Sequence, residues 1–339
     1  MAAKKLVAVL LGGPSSEHDV SLATGSLVLE RLDRARFDGV PVYVDRQRVW
    51  HFPKLPHPPA QSWRDALPAA TPWQADGSPM PWRPDVCFLG LHGAYGEDGQ
   101  VQDILERASV PYTGSGPAAS RLAMNKRAAK DVFRRKGLPV APEVEIAMGE
   151  APAAATGRVR QKIEGPWVVK PRDGGSSVGV VMVGDPAALE AAITAGLAEP
   201  LLVEPRLAGR EMTCGVLEEL ATRRPRSLPV TEIRPKGGAF FDYKAKYTAG
   251  QSEEITPADI PTAARDEIQR VALAAHEALG CRAYSRSDFI LQPDGKPILL
   301  ETNTLPGLTA TSLLPQEAAA VGIDYPSLLS LLIDLALPR

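Results

Sequence analysis

Two short stretches place polar groups two residues apart within apolar surroundings. In PILLETN these are Glu301 and Asn303, and in SRSDFIL they are Arg286 and Asp288. Side chains two apart on a β-strand leave the same face, so pairing of the two segments would bring two carboxylates and an amide oxygen together. Such hard oxygen donors suit Mg²⁺ held against phosphate groups. Taken alone, the Arg-x-Asp pair reads at least as well as an Arg–carboxylate ladder on a solvated strand. The continuation LPGLT after Asn303 favours a site, because its backbone N–H groups would face the same space.

A polyphosphate also needs cations. Lys126 in MNKRAA, Lys170 in WVVKPRD and Lys246 in YKAKYTAG each adjoin an apolar run or a rigid turn, although each singly reads as a snorkelling surface side chain. Lys170 opens KPRDGGSSVG, a glycine-serine loop between apolar segments. A Walker loop puts its lysine after the glycines and starts a helix. Here the lysine comes first and β-branched residues follow, which excludes a Walker site.

The elements that must position these groups read as three regions. KKLVAVLLGG, a helical stretch near Val20 to Leu32, GVPVYV and DVCFLGLHG alternate as a parallel α/β sheet requires. The proline-rich stretch from Trp50 to Pro84, with Trp63, Trp73 and Trp82, shows no period and predicts an irregular surface excursion with room for short edge strands. RLAMNKRAAKDVFRRKG predicts one helix ending at a glycine, followed by a strand-rich module that carries the glycine-serine loop. The third region holds the strands VTEIRP, SRSDFIL and PILLETN. It also holds a helix with Thr262 as N-cap and Gly280 past its end, and a leucine-rich C-terminal helix suited to a deep core or a dimer seam. The expected class is α/β and α+β, with regions at 1–118, 119–207 and 208–339.

Composition narrows the partners. The 339 residues carry 38 Lys plus Arg against 40 Asp plus Glu, a net charge of -2, which gives no electrostatic reason to expect nucleic acid or an anionic membrane. Cys87, Cys214 and Cys281 are odd in number and widely spaced, as buried thiols in a reducing cytoplasm would be. No run approaches the roughly 18 apolar residues of a membrane span. The short run from Leu6 to Leu11 predicts a buried first strand.

LGGPSSEHDVSL, HGAYGEDG, GLPVAP, KPRDGGSSVG, FFDYKAKYTAG, SRSDF and ETNTLPGLTATSLLP, in order from Gly12 to Pro315, together resemble the D-alanine:D-alanine ligase family of the ATP-grasp superfamily. The resemblance implies an N-terminal doubly wound domain and two α+β modules closing on ATP. It also implies Mg²⁺ or Mn²⁺ as cofactor, with two ions, and a cytoplasmic homodimer serving peptidoglycan precursor synthesis. The implied reaction joins two D-alanines through an acyl phosphate and releases ADP and phosphate.

Residue roles follow from the same resemblance. The glycine-serine loop becomes a lid over the phosphates, with Lys170 and Lys126 on the nucleotide and Lys246 on the transferring group. Glu17 binds the first D-alanine ammonium, and Ser176 links it to Tyr247, with Ser177 alongside on the substrate. His92 lies near the first carboxylate, Arg286 and the Gly307 amide hold the tetrahedral oxyanion, and Ser312 takes the second carboxylate. Glu204 and Glu211 serve the ribose and adenine region, and Asp288, Glu301 and Asn303 hold the metal. For Glu17 a helix-start acid facing the macrodipole stays open, as does a structural loop role for His92. Lys244 departs from the pattern, standing where an acidic residue is expected. D-lactate or D-serine as second substrate, or a non-catalytic ATP-binding relative, are the alternatives.

Overall fold

The computed structural model describes residues 3–58, 62–175, 178–235 and 252–338. The chain opens with β1 (Lys5–Gly12), α1 (His18–Arg31), β2 (Phe37–Val44), β3 (Trp50–Phe52), α2 (Trp63–Ala66), β4 (Thr71–Trp73), β5 (Val86–Leu89) and α3 (Gln100–Arg107). Their sheet has the order β4-β3-β2-β1-β5, parallel from β2 through β1 to β5 and antiparallel at β3 and β4. Val7 to Leu11 are buried without alternation, as expected for a central parallel strand covered on both faces.

The short edge strands allowed for in the expected surface excursion are present as β3 and β4, but its aromatic side chains turn inward. Trp50, Phe52 and Trp73 are buried, Trp73 meets Trp50 edge-on at 5.4 Å, and Trp82 meets Phe52 edge-on at 5.1 Å. The stretch therefore extends the sheet and completes its core. Strands of three residues are too short to display a period of two, which is why the pattern looked irregular.

The single helix expected next is broken in two, α4 (Pro117–Met124) and α5 (Lys126–Arg135). Asn125 between them is extended, at φ -85° and ψ 95°, and its side chain accepts from the Ala128 N–H at 2.9 Å as the N-cap of α5. Its backbone also bridges to Asp173 at the foot of the glycine-serine loop. A second sheet follows, built from β6 (Val144–Ile146), β7 (Trp167–Pro171), β8 (Val181–Val183) and β9 (Leu201–Pro205) in the antiparallel order β6-β9-β7-β8. Helices α6 (Pro152–Lys162) and α7 (Pro186–Gly196) cover it.

The third sheet comprises β10 (Arg210–Glu218), β11 (Pro225–Ser227), β12 (Thr231–Pro235), β13 (Ser252–Ile255), β14 (Tyr284–Leu291) and β15 (Pro297–Asn303). Its order is β13-β12-β10-β14-β15, with β11 also on β10. One face packs on α8 (Thr262–Leu279), where Ile268, Val271 and Ala275 meet Phe289 and Leu299. Ala129 and Phe133 of α5 join this core. Pro261 takes the N-cap position expected of Thr262, one residue later, while Gly280 adopts the left-handed conformation at φ 71°.

Helices α9 (Leu313–Ala319) and α10 (Tyr325–Ala336) close the chain. Leu328, Leu329, Leu332 and Ile333 of α10 are buried against the first sheet, so a deep core accounts for these leucines. Cys87 and Cys214 are buried, Cys281 is partly so, and all are free thiols. Among the described residues no helix is long and apolar enough to cross a membrane.

Candidate active site

β14 and β15 pair antiparallel, setting Arg286 opposite Asn303 and Asp288 opposite Glu301. Past that point the register shifts, and Phe289 faces Leu299, so Leu300 has no opposite residue. From Ser285 onward β14 alternates, with Ser285, Ser287, Phe289 and Leu291 buried. In β15 the bulge lets Leu300 and Glu301 both line the open face while Leu299 and Thr302 stay buried. The convergence expected from the two spacings is thus present.

The Arg–carboxylate ladder is present too, inside the site. Arg286 donates from Nε and Nη2 to the two oxygens of Asp288 at 2.9 and 2.8 Å, and the Thr213 hydroxyl donates to Oδ1 at 2.7 Å. The two side chains are only 14% and 17% exposed, which distinguishes the pair from a solvated surface bridge. Burial disfavours the Arg286 charge, but Asp288 outweighs it and raises the pKa. Asn303 Oδ1 accepts from the Leu305 N–H at 2.8 Å, and Glu301 lies 3.8 Å from Lys126.

Among the described residues no three His, Cys, Asp or Glu side chains form a ready-made metal cage. Two carboxylates and an amide oxygen still fit Mg²⁺ or Mn²⁺, because such ions commonly take one or two carboxylates and complete their shell with water and substrate phosphates.

These groups lie in a cleft of about 950 Å³ between the three sheets. On its far side Lys170 Nζ donates to Glu204 Oε2 at 2.9 Å, and Lys130 Nζ donates to Oε1 at 2.5 Å. Burial alone would push the Glu204 carboxyl up, but the two ammonium groups hold it at about 2. Lys126 and Lys130 are both shifted down by burial. Lys126 also donates to the Gly174 carbonyl, which ties it to the foot of the glycine-serine loop. Glu204 lines the cleft, yet both its oxygens serve lysines, so it acts on the cleft through them. Glu211 lines the cleft beside Met212, and Val168, Met182, Leu207, Ile290 and Leu300 give this end an apolar wall.

At the opposite end Glu17 occupies the N-cap position of α1, buried, without a side-chain capping bond. His92 Nε2 bonds the Thr24 hydroxyl at 2.9 Å, and Nδ1 lies 3.8 Å from Glu97 Oε1. Gly307 and Ser312 border the same cleft. Ser312 Oγ accepts from the Thr309 N–H at 3.0 Å and contacts its hydroxyl at 2.7 Å, which fixes the turn entering α9. Ser176, Ser177, Lys244, Lys246 and Tyr247 lie outside the described residues.

Residues 6–115 match the family described as D-ala D-ala ligase N-terminus, and residues 132–334 match D-ala D-ala ligase C-terminus. The chain belongs to the D-Ala-D-Ala ligase family. The D-alanine–D-alanine ligase of Leptospira biflexa is 39% identical, with 98% of each chain covered. That of Oleidesulfovibrio alaskensis is 50% identical over 257 residues, 75% of this chain and 79% of the relative. Among solved structures, the VanG D-Ala:D-Ser ligase of Enterococcus faecalis has a TM-score of 0.86 at 30% identity, covering 98% of this chain and 100% of that one. A D-alanine–D-alanine ligase of Bacillus anthracis complexed with ATP has a TM-score of 0.74 at 29% identity, covering 98% and 97%. These ligase neighbours establish the ATP-grasp fold for the chain.

Three residues in or behind this cleft escaped the sequence reading. Lys130 follows Lys126 by one helical turn, a spacing that could have flagged it. Glu97 lies in GEDG, five residues after His92. Glu317 of α9 is fully buried, and its Oε2 accepts from the Gly215 N–H at 2.6 Å. Burial pushes this carboxyl up to about 8, against the pull of Arg286.

A carboxyl whose folded pKa lies above its ordinary value of about 4.3 loses stabilising weight as pH rises between the two values. Glu317→Gln, a neutral isostere, is therefore expected to match the parent in stability near pH 4 and to exceed it above pH 8. Urea melts at both pH values measure this, and a stability difference that stays constant with pH would refute it.

Proposed function

We propose that the chain joins two D-alanines into D-alanyl-D-alanine using ATP, through an acyl phosphate. One observation carries the reading: the Arg286–Asn303 and Asp288–Glu301 rungs lie in one cleft with the buried Glu17 and His92 and with the Lys126 and Lys170 cations. A binding module for nucleotide alone would not need the acid, the histidine and the guanidinium in the same space.

In this reading Glu17 pairs with the first D-alanine ammonium, and His92, held by Thr24, orients its carboxylate toward the γ-phosphate. Lys126, Lys170 and Lys246 offset phosphate charge, with Ser176 and Ser177 on the lid and Glu211 toward the ribose. Asp288, Glu301 and Asn303 would hold Mg²⁺ or Mn²⁺, two ions in all, which neutralise charge on the phosphoryl oxygens. The carboxylate oxygen takes the γ-phosphoryl group and ADP leaves. The amine of the second D-alanine, seated by Ser312, attacks the acyl carbon, Arg286 and the Gly307 N–H bind the oxyanion, and phosphate departs. The reading places the enzyme in the cytoplasm as a homodimer supplying cell-wall precursors. Incubation with Mg-ATP and D-alanine should yield the dipeptide with ADP and phosphate. AMP and pyrophosphate as products would reject acyl phosphate chemistry.

A second reading, D-serine or D-lactate as second substrate, is kept because the VanG neighbour is named a D-Ala:D-Ser ligase. Tyr247 bears on it, since the family resemblance assigns its hydroxyl to the Glu17–Ser176 link. A free α-amino group has a pKa of about 8 and must lose a proton before attack, whereas a hydroxy acid bears no such cation. Tyr247→Phe is expected to raise the D-lactate share in competition with D-alanine, most at low pH. Equal product ratios in both proteins from about pH 6 to 9 would remove Tyr247 from this selection.

A further inference from the structure

Gly215 of β10 stands directly opposite Arg286 in the β10–β14 register. Opposed residues of antiparallel strands turn to the same face, so the space over Gly215 is the space beside the Arg286 side chain. Glu317 fills it. A Cβ at position 215 would lie 2.4 Å from Glu317 Oε2, so the glycine leaves the room that the carboxyl occupies. The carboxyl in return accepts the Gly215 N–H, while Oε1 has no hydrogen-bond partner among the described residues. Leu314 of the same helix would also crowd a side chain at 215, at 2.6 Å, which shows how closely α9 rests on β10.

We infer that Glu317 is a positioning residue for the second ligation step: its carboxyl pins α9 to β10 beside Arg286 and so fixes Ser312, at the N-cap of α9, relative to the guanidinium. α9 is only seven residues long, so movement at Glu317 is carried to Ser312. The inference rests on the assignment of Arg286 and Ser312 to the second D-alanine made above. The carboxyl does not line the cleft, so it acts through the groups it holds and not by touching substrate.

The test compares Glu317→Gln, which keeps an acceptor for the Gly215 N–H, with Glu317→Leu, which keeps the bulk and removes the acceptor. The two Michaelis constants for D-alanine are resolved from the saturation curve, and ADP affinity is measured by calorimetry. Loss of one buried hydrogen bond predicts a rise of about tenfold in the second Michaelis constant for Glu317→Leu. The first constant and ADP affinity should stay within about twofold, and Glu317→Gln should behave as the parent near neutral pH. An unchanged second constant in Glu317→Leu overturns the inference, as does a parallel change in all three quantities, which would mark a general packing role. Should Glu317→Leu fail to fold, Gly215→Ala displaces the same carboxyl, and a parental second constant there overturns the inference equally. Ser312→Ala separates the two layers. If it leaves the second constant unchanged, the site assignment falls and the inference with it, whereas a rise there without one in Glu317→Leu rejects the inference alone.

Discussion

Glu204→Gln is expected to destabilise the protein by about 3–5 kcal/mol, the usual effect of removing one partner from a buried ion pair. Glu204 accepts from Lys130 and Lys170, all three groups are buried, and the remaining carboxylate near Lys130, Glu143, is 3.5 Å away. A glutamine keeps one acceptor but presents its amide hydrogens to the second ammonium, leaving a buried cation without a counter-charge. The pH dependence carries the sign of a depressed carboxyl. With a folded pKa of about 2, the contribution of Glu204 is fully present above its ordinary value and fades as pH falls toward 2. Denaturant melts at neutral pH and near pH 3 should show the gap between parent and variant narrowing with acid. A neutral-pH gap below about 1 kcal/mol would mean that the lysines find other partners.

Glu301→Gln should show the opposite profile, a large loss of turnover in an intact fold. Its side chain is 31% exposed and its ion pair with Lys126 is long, at 3.8 Å, so little stability depends on the charge. If Glu301 holds the proposed Mg²⁺, exchanging the carboxylate for an amide at nearly constant volume would weaken a site whose charge stabilisation is worth several kcal/mol in the transition state. We expect kcat to fall at least about 100-fold, with partial recovery at high Mg²⁺ and a melting temperature near the parental value. Parental kcat at ordinary Mg²⁺ would take Glu301 out of the metal site.

What the sequence disclosed depended on distance along the chain. Arg286 with Asp288, and Glu301 with Asn303, were legible because a period of two within one strand fixes which face each side chain takes. The helix break at Asn125 was missed because its apolar pattern runs on across the break, although asparagine before a lysine-rich run is a common N-cap signal. Glu317 could not be read locally, because its meaning comes from Gly215, 102 residues earlier. Gly215 inside an apolar strand hints at a close approach, but nothing in the sequence says what approaches. The ion pairs of Glu204 with Lys130 and Lys170 likewise join three separate segments.

The bulge in β15 has a consequence for how this cleft can change over evolutionary time. Leu300 belongs to no rung, while the rungs on either side of it, Asp288–Glu301 and Phe289–Leu299, are closed without it. Its side chain forms part of the apolar wall, next in the chain to a residue assigned to the metal. Exchanges at position 300 can therefore resize the apolar wall of the cleft without shifting Glu301 or Asn303 relative to Arg286. The shape of the wall and the spacing of the polar rungs are thereby made separately adjustable, although their residues are neighbours in a single strand.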